Sequence, residues 1–315
     1  MNNLRTRVLI VAACFYLLLP NSAALAQQIA DPDFKGTVEH PAYTKNFPRL
    51  LFDEGHNNFH TATGRYKPFA DLISNDGYHL VRNRKPFSKE SLDTFKILVI
   101  ANALGAEDRD DEGADRSAFT DPECEAVSEW VRTGGSLLLI ADEAPFGSAA
   151  ANLARRFNVD LSKGSTRDSA NHEKGSDNQY WVVYSRDNKL LLDHPITAGR
   201  NDEEKINRVI AFNGQSVKGP DGSAAFLKLA DTAVDVSGEL SGPDRKEQTA
   251  AGRAQGIAMK FGKGRVVVMG EADMLSALMG GPGGNEPMGM NYPGIDNKQL
   301  ALNVMHWLSG LLKER

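Results

Sequence analysis

Lys96-Ile97-Leu98-Val99-Ile100-Ala101 is an apolar run that stops on Asn102, and its reading decides the fold class. Side chains along a strand point alternately to its two faces. A strand with one wet face would therefore alternate, and this one does not, so it predicts a strand buried on both sides of a parallel sheet. The pattern recurs in Ser136 to Ala141 (SLLLIA), in Arg265 to Gly270 (RVVVMG) and, shorter, in Arg49 to Asp53 (RLLFD).

Working outward, helical spacing fills the gaps. Tyr66, Phe69, Ala70 and Ile73 fall at i, i+3, i+4 and i+7. Ser88 caps a short helix to Phe95. Asp121, with Pro122 in the first turn, opens a helix whose face carries Cys124, Val127 and Val131 and which Gly134-Gly135 ends. Residues 148–157 return as helix, with Ser148 as its cap. Asp296 and Gln299 form a capping-box pattern before a final stripe of Leu300, Val304, Trp307, Leu308 and Leu311, which leaves His306 off the apolar face. Gly77–Val81, Tyr180–Tyr184, Val209–Phe212, Ala225–Leu229 and Gly256–Phe261 read as further strands, some of them antiparallel. Ser162–Asn178 reads as an exposed excursion and Met279–Ile295 as a Gly/Pro/Met-rich loop, in which Gly280–Gly284 is a candidate lid over the strand ends or plain disorder. The expected class is α/β: a mostly parallel central sheet covered on both faces, with some added antiparallel strands.

The amino terminus carries Arg5 and Arg7, an apolar run from Val8 to Leu19, a break at Pro20-Asn21, and Ala24-Leu25-Ala26. That order is a secretory signal peptide cleaved after Ala26. The run is shorter than the roughly 20 residues a membrane span needs, so no transmembrane anchor is expected after cleavage. Val11-Ala12-Ala13-Cys14 offers a lipoprotein signal as the rival. The expected organisation is a signal at 1–26, an extended lead-in at 27–47 and one domain at 48–315, in the periplasm or secreted. Cleavage removes two arginines and no acid, so the formal charge of −5 becomes more negative by two. Nothing basic or clustered points to nucleic acid. Cys124 would be left without a partner for an internal disulfide.

Four stretches carry a family resemblance: Phe52-Asp53-Glu54-Gly55-His56-Asn57-Asn58, Gly134-Gly135-Ser136-Leu137-Leu138-Leu139, Asp193-His194-Pro195-Ile196-Thr197, and Gly262 to Val268 (GKGRVVV). With them the chain resembles the class I glutamine amidotransferase-like superfamily, which implies a flavodoxin-like three-layer sandwich. Within it, the likeness is to exported members of unknown function related to trehalose-utilisation-type domains and to the domain of gliding-motility and intraflagellar-transport proteins. Members that act as amidotransferases place a nucleophilic cysteine just after the strand that here ends at Ala141. This chain has Asp142-Glu143-Ala144-Pro145 there, and Cys124 lies on a core-facing helix stripe. Amidotransferase chemistry is therefore not expected.

Ligands of open parallel sheets sit beyond the carboxyl ends of the strands. Those ends deliver Asp53, Glu54, His56, Asn57 and His60, then Asn102, then Asp142 and Glu143, then Glu271 and Asp273, with Asn291, Asp296 and Asn297 following in sequence. Glu54-x-His56-x-x-x-His60 permits a divalent metal or proton transfer, with Glu271 closing the shell. The alternative, favoured here, is a turn whose histidines bond to backbone, with no metal and no cofactor. Asp108-x-Asp110-Asp111-Glu112-Gly113 suggests a calcium loop but puts Phe119 where the bidentate glutamate belongs, so it reads as a solvated acidic loop. His194-Pro195 reads as a structural turn and His79 as a packed strand residue.

Three functions follow. The first is a non-catalytic domain binding a carbohydrate or other small polar ligand, with Trp181 or Tyr292 stacking on it. The second is a hydrolase using Glu54, His56 and Glu271. The third is a scaffold for a protein partner.

Overall fold

A computed structural model describes residues 28–238, 243–281 and 283–313. The expected signal peptide and the lipobox cysteine lie outside the described residues.

The central sheet is built from β1 (Arg49–Asp53), β2 (His79–Asn83), β3 (Ile97–Ala101), β4 (Ser136–Ile140), β5 (Asp160–Leu161), β6 (Val217–Lys218), β7 (Ala224–Lys228), β8 (Ala254–Phe261) and β9 (Gly264–Met269). Its order is β2-β1-β3-β4-β9-β8-β6-β5, with β7 also on β8. The first five of that order run parallel, and β8, β6, β5 and β7 extend the sheet antiparallel. The order 2-1-3-4 is that of flavodoxin-like sheets, and the parallel pairing of its buried strands is what the apolar runs predict.

The alternation of side chains builds two cores. Leu50, Phe52, Val99, Leu138, Ile140 and Val267 pack on one face, against α1 (Lys67–Asn75) and the carboxyl-terminal helix. Their neighbours Leu51, Leu98, Ile100, Leu137, Leu139 and Val268 pack on the other, against α2 (Lys89–Leu92), α3 (Asp121–Thr133) and α4 (Phe146–Arg155). All of β3 and β4 is buried, and full burial of each leucine or isoleucine contributes about 1.5–3 kcal/mol. The Thr120 hydroxyl accepts from Glu123 N while the Glu123 carboxylate accepts from Thr120 N, which starts α3. At its other end Gly135 is required: a Cβ there would sit 2.3 Å from the Trp130 indole.

Several sequence expectations are corrected. His306, on the last helix α6 (Asn297–Ser309, with α5 at Pro195–Ala198 before it), is not a surface residue. It is 1% exposed, and its Nε2 lies 2.7 Å from Asp76 Oδ2. Asp296 makes no capping box; its Oδ2 accepts from Asn207 N and Arg208 N, while Gln299 donates to Asn303. Helix α4 begins at Phe146, so Ser148 is inside it rather than its cap. His79 is exposed. The stretch expected as an excursion contains a strand, Ser165–Asp168, paired with Ala233–Ser237, and its Thr166 and Asp168 are buried on hydrogen bonds to Asp235 and Thr232. The Gly/Pro/Met-rich loop holds a hairpin of Ala277–Gly280 and Glu286–Gly289, to which Ile29–Ala30 of the lead-in adds a third strand. The expected turn at His194 is present, its ring accepting from Ile196 N at the start of α5.

Candidate functional site

The carboxyl ends of β1, β3, β4 and β9 all open on one edge, because these strands are parallel and adjacent. Beyond that edge lies a cavity of about 660 Å³. β4 delivers Asp142 and Glu143 to it, and β9 delivers Glu271 and Asp273. The loop after β1 supplies Phe59, His60 and Arg65, and the acidic loop after β3 brings Asp108, Arg109 and Asp110 to the rim.

The floor at Gly214, which lines the cavity, rests on two backbones in contact. Gln215 N donates to Gly270 O at 2.7 Å, and its side-chain amide donates to Ala141 O and Asp142 O, pinning the end of β4. A Cβ on Gly270 would stand 2.1 Å from Gln215 O, and one on Gly214, whose φ is +86°, 2.3 Å from Gly270 O. Asn213 beside it holds a φ of 136°, a region L side chains rarely occupy and one that concentrates at functional positions.

Four acids crowd this space. Asp142 accepts from Asn102 Nδ2 at 2.6 Å and from Ala272 N at 2.7 Å. Glu271 accepts from Asp273 N and Met274 N, both at 2.8 Å. Asp273 accepts from Gln28 at 2.9 Å. Glu143 Oε1 accepts from Asn213 at 3.1 Å, but its Oε2 is buried with no partner. Burial, followed by the charges of Glu143 and Asp273, pushes Asp142 well above the carboxylate range; burial with Asp273 and Asp142 does the same to Glu271. Burial raises Glu143 as well, and lifts Asp273 to about 6 against the pull of its bond from Gln28.

His60 is 1% exposed, stacked on Tyr66, and neither ring nitrogen has a partner. Burial, then the charges of Arg65 and Arg109, hold it down at about 3, so it is neutral at ordinary pH.

The other expected site residues lie elsewhere. His56 Nδ1 faces Asp53 Oδ2 at 2.8 Å and its Nε2 faces Glu123 Oε1 at 2.9 Å, with the ring between Phe87 and Phe119. Burial opposes the imidazolium, but these two carboxylates outweigh it and raise His56. The Glu123 carboxyl is held at about 2: burial raises it, and bonds from Thr120, His56 and Phe87 N prevail. Glu54 is paired with Arg82 and Arg84 in a neighbouring hollow that it shares with Asn57, Asn58 and Arg65. Asn102 reaches the cavity only through Asp142. Asn291 ties Asp31 to Leu278 O. Trp181 and Tyr292 pack edge-on against each other and Phe212. Glu54, His56 and His60 are thus not gathered as ligands, and among the described residues no three His, Cys, Asp or Glu are placed to hold a metal ion. Cys124 is buried, its thiol pushed up to about 11 by burial.

Sequence reasoning missed Arg65, Arg109, Phe59, Gln28 and Asn213. Only the last left a signal, the Asn-Gly turn pair at 213–214 closing an apolar run.

Fold and site together define an α/β protein with a flavodoxin-type strand order and an acidic strand-end cavity. Among solved structures, the mmIFT52 N-terminal domain is similar, with a TM-score of 0.56 at 15% identity over 83% of this chain and 97% of that one. The likeness shows a shared fold. Lower scores link the chain to a putative ThuA-like protein from Bacteroides uniformis (0.43, 12% identity, 88% of this chain and 95% of that). A putative GMP synthase protein from Thermoplasma acidophilum scores 0.42, at 12% identity over 84% and 96%. No protein-family model and no curated protein matches the chain.

Proposed function

We propose that this chain is an exported, non-catalytic binding domain of amidotransferase-like descent that takes a small polar ligand into the cavity beyond β4 and β9. The observation that carries the reading is His60: a buried imidazole with two unpartnered nitrogens in the cavity wall. An unsatisfied buried polar group costs about 1–3 kcal/mol, and a ligand that bonds to it recovers that cost. The unpartnered Glu143 Oε2 and the strained backbone at Asn213 border the same space. The position of an amidotransferase nucleophile is held by Asp142-Glu143-Ala144-Pro145, which supports binding rather than acyl transfer. Among the described residues no helix is long and apolar enough to cross a membrane.

Thermal unfolding with panels of sugars, amino acids, amines and nucleotides tests the reading. A ligand at a hundred times its Kd adds about 2.7 kcal/mol, a shift of several degrees. Absence of any shift across all classes would overturn it.

A second reading, hydrolysis, is favoured by one observation, the raised carboxyls at a single site, a common mark of acid–base chemistry. It moves from Glu54 and His56 to Asp142, Glu143, Glu271 and Asp273. Turnover of generic ester or glycoside substrates, lost in Glu271→Gln with the fold intact, would establish it.

A further inference from the structure

Acidic groups outnumber basic ones around the cavity. Asp142, Glu143, Glu271 and Asp273 line its interior, Asp108 and Asp110 stand on the rim, and against these six are set Arg65 and Arg109. Arg65 Nε donates to Gln28 O, and its guanidinium lies 4.0 Å from the centroid of Phe59.

The unsatisfied atoms are acceptors in part or whole. Glu143 Oε2 accepts only when the carboxyl is ionised, the form a bound cation favours, and a neutral imidazole always presents one bare nitrogen. An anionic ligand would leave both unsatisfied and add to the crowding of carboxyls. A ligand N–H on a cation would satisfy them and offset that crowding.

The chain already holds such a group at the mouth. The Arg109 guanidinium lies 5.6 Å from the centroid of Phe59 and 5.5 Å from that of Phe146. Its ion-pair partner is Asp110, at 3.8 Å with Asp110 almost fully exposed, a contact worth little. Two aromatic faces at the entrance thus accept a planar cation in the free protein.

We propose that the cavity binds a small organic cation, a molecule bearing a guanidinium or primary ammonium group, which passes Arg109 and donates to Glu143 Oε2 and to the bare nitrogen of His60. The proposal rests on the ligand-binding reading above and gives that ligand its chemistry. Arg109 competes with the ligand for the same rings and the same negative field, so it sets a threshold on affinity.

Calorimetric titration of the purified protein with agmatine, putrescine and methylguanidinium tests this beside glucose, maltose, glutamate and calcium chloride. The expected result is saturable binding of agmatine or another of the amines. Glu143→Gln should weaken it about tenfold, the loss of one charged hydrogen bond, while leaving the unliganded melting temperature unchanged or higher. Arg109→Ala should tighten it by about threefold or more. Binding of a sugar, glutamate or calcium with no amine bound overturns the inference. So does weaker amine binding in Arg109→Ala, or unchanged binding in Glu143→Gln. In the sugar or glutamate case the ligand-binding reading stands; if no small molecule of any class binds, both fall.

Discussion

His60 shows what one misplaced proton would cost. Its ring is almost wholly buried with both nitrogens unpartnered, so the folded state holds its pKa at about 3, below the ordinary 6.5. A depressed histidine contributes stability that is fully present above 6.5 and drains away as the pH falls toward 3. His60→Phe keeps the stacking on Tyr66 and removes that drain. Its melting advantage over the parent should therefore grow between pH 7 and 4.5, to about 2 kcal/mol. An equal difference at both pH values would refute the assignment. Asp273 has the opposite sign. Its carboxyl is raised from 3.8 to about 6, so the ionised form is disfavoured by folding, and stability present below 3.8 is lost as the pH rises through 6. Asp273→Asn should stabilise by about 1–3 kcal/mol at pH 8 and not at all near pH 3.5, as followed by thermal unfolding. Neither histidine role could be read from sequence. His60 lies in a loop with no periodicity, and the Asp76 that pairs with His306 stands 230 residues away from it.

At the scale of elements, the strands were legible for a physical reason. β3 and β4 are wet on neither face, so apart from Ser136 their sequences are apolar throughout, and the pattern is plain. The strand Ser165–Asp168 failed the same test, because its buried side chains are hydroxyl and carboxylate groups satisfied by Asp235 and Thr232. Helix α3 was legible from Pro122 and Gly134, yet its cap has a second use that only the structure shows. Glu123 closes the capping box with Thr120 and also meets His56 at 2.9 Å. This is why His56 is a buried brace rather than a ligand. Thr120→Ala removes a hydroxyl that donates to Glu123 at 2.6 Å. It should lower stability by about 1–2 kcal/mol, seen as a reduced urea midpoint with an unchanged slope. Leu138→Ala, in the dry centre of β4, should cost more, about 2–5 kcal/mol by the same measurement.

For the whole molecule, the sequence located the rim but not its division of labour. The four strand ends do share an edge, and Asp142, Glu143, His60 and Glu271 meet there. Asp53, Glu54 and His56 leave the set because Asn83, Arg82, Arg84 and Glu123 claim them, partners contributed by other elements. The lead-in also proves to be part of the site. Gln28 bonds to Asp273, its carbonyl accepts from Arg65, and Asp31 is held by Asn291. A chain lacking residues 28–31 should melt lower and bind any cavity ligand more weakly, measured by thermal shift with and without ligand. Retention of both properties would show the strap to be incidental.

The glycine floor has a consequence for diversification. Because Gly214, which lines the cavity, and Gly270 behind it admit no side chain, substitution at these two positions cannot retune the cavity. New preferences must be written into the side chains that line it, foremost those of the acidic loop after β3 and the segment around Phe59 and Arg65. Related chains that recognise different molecules should share an invariant base and diverge along its lip, so a library confined to the lip is the economical way to redirect recognition.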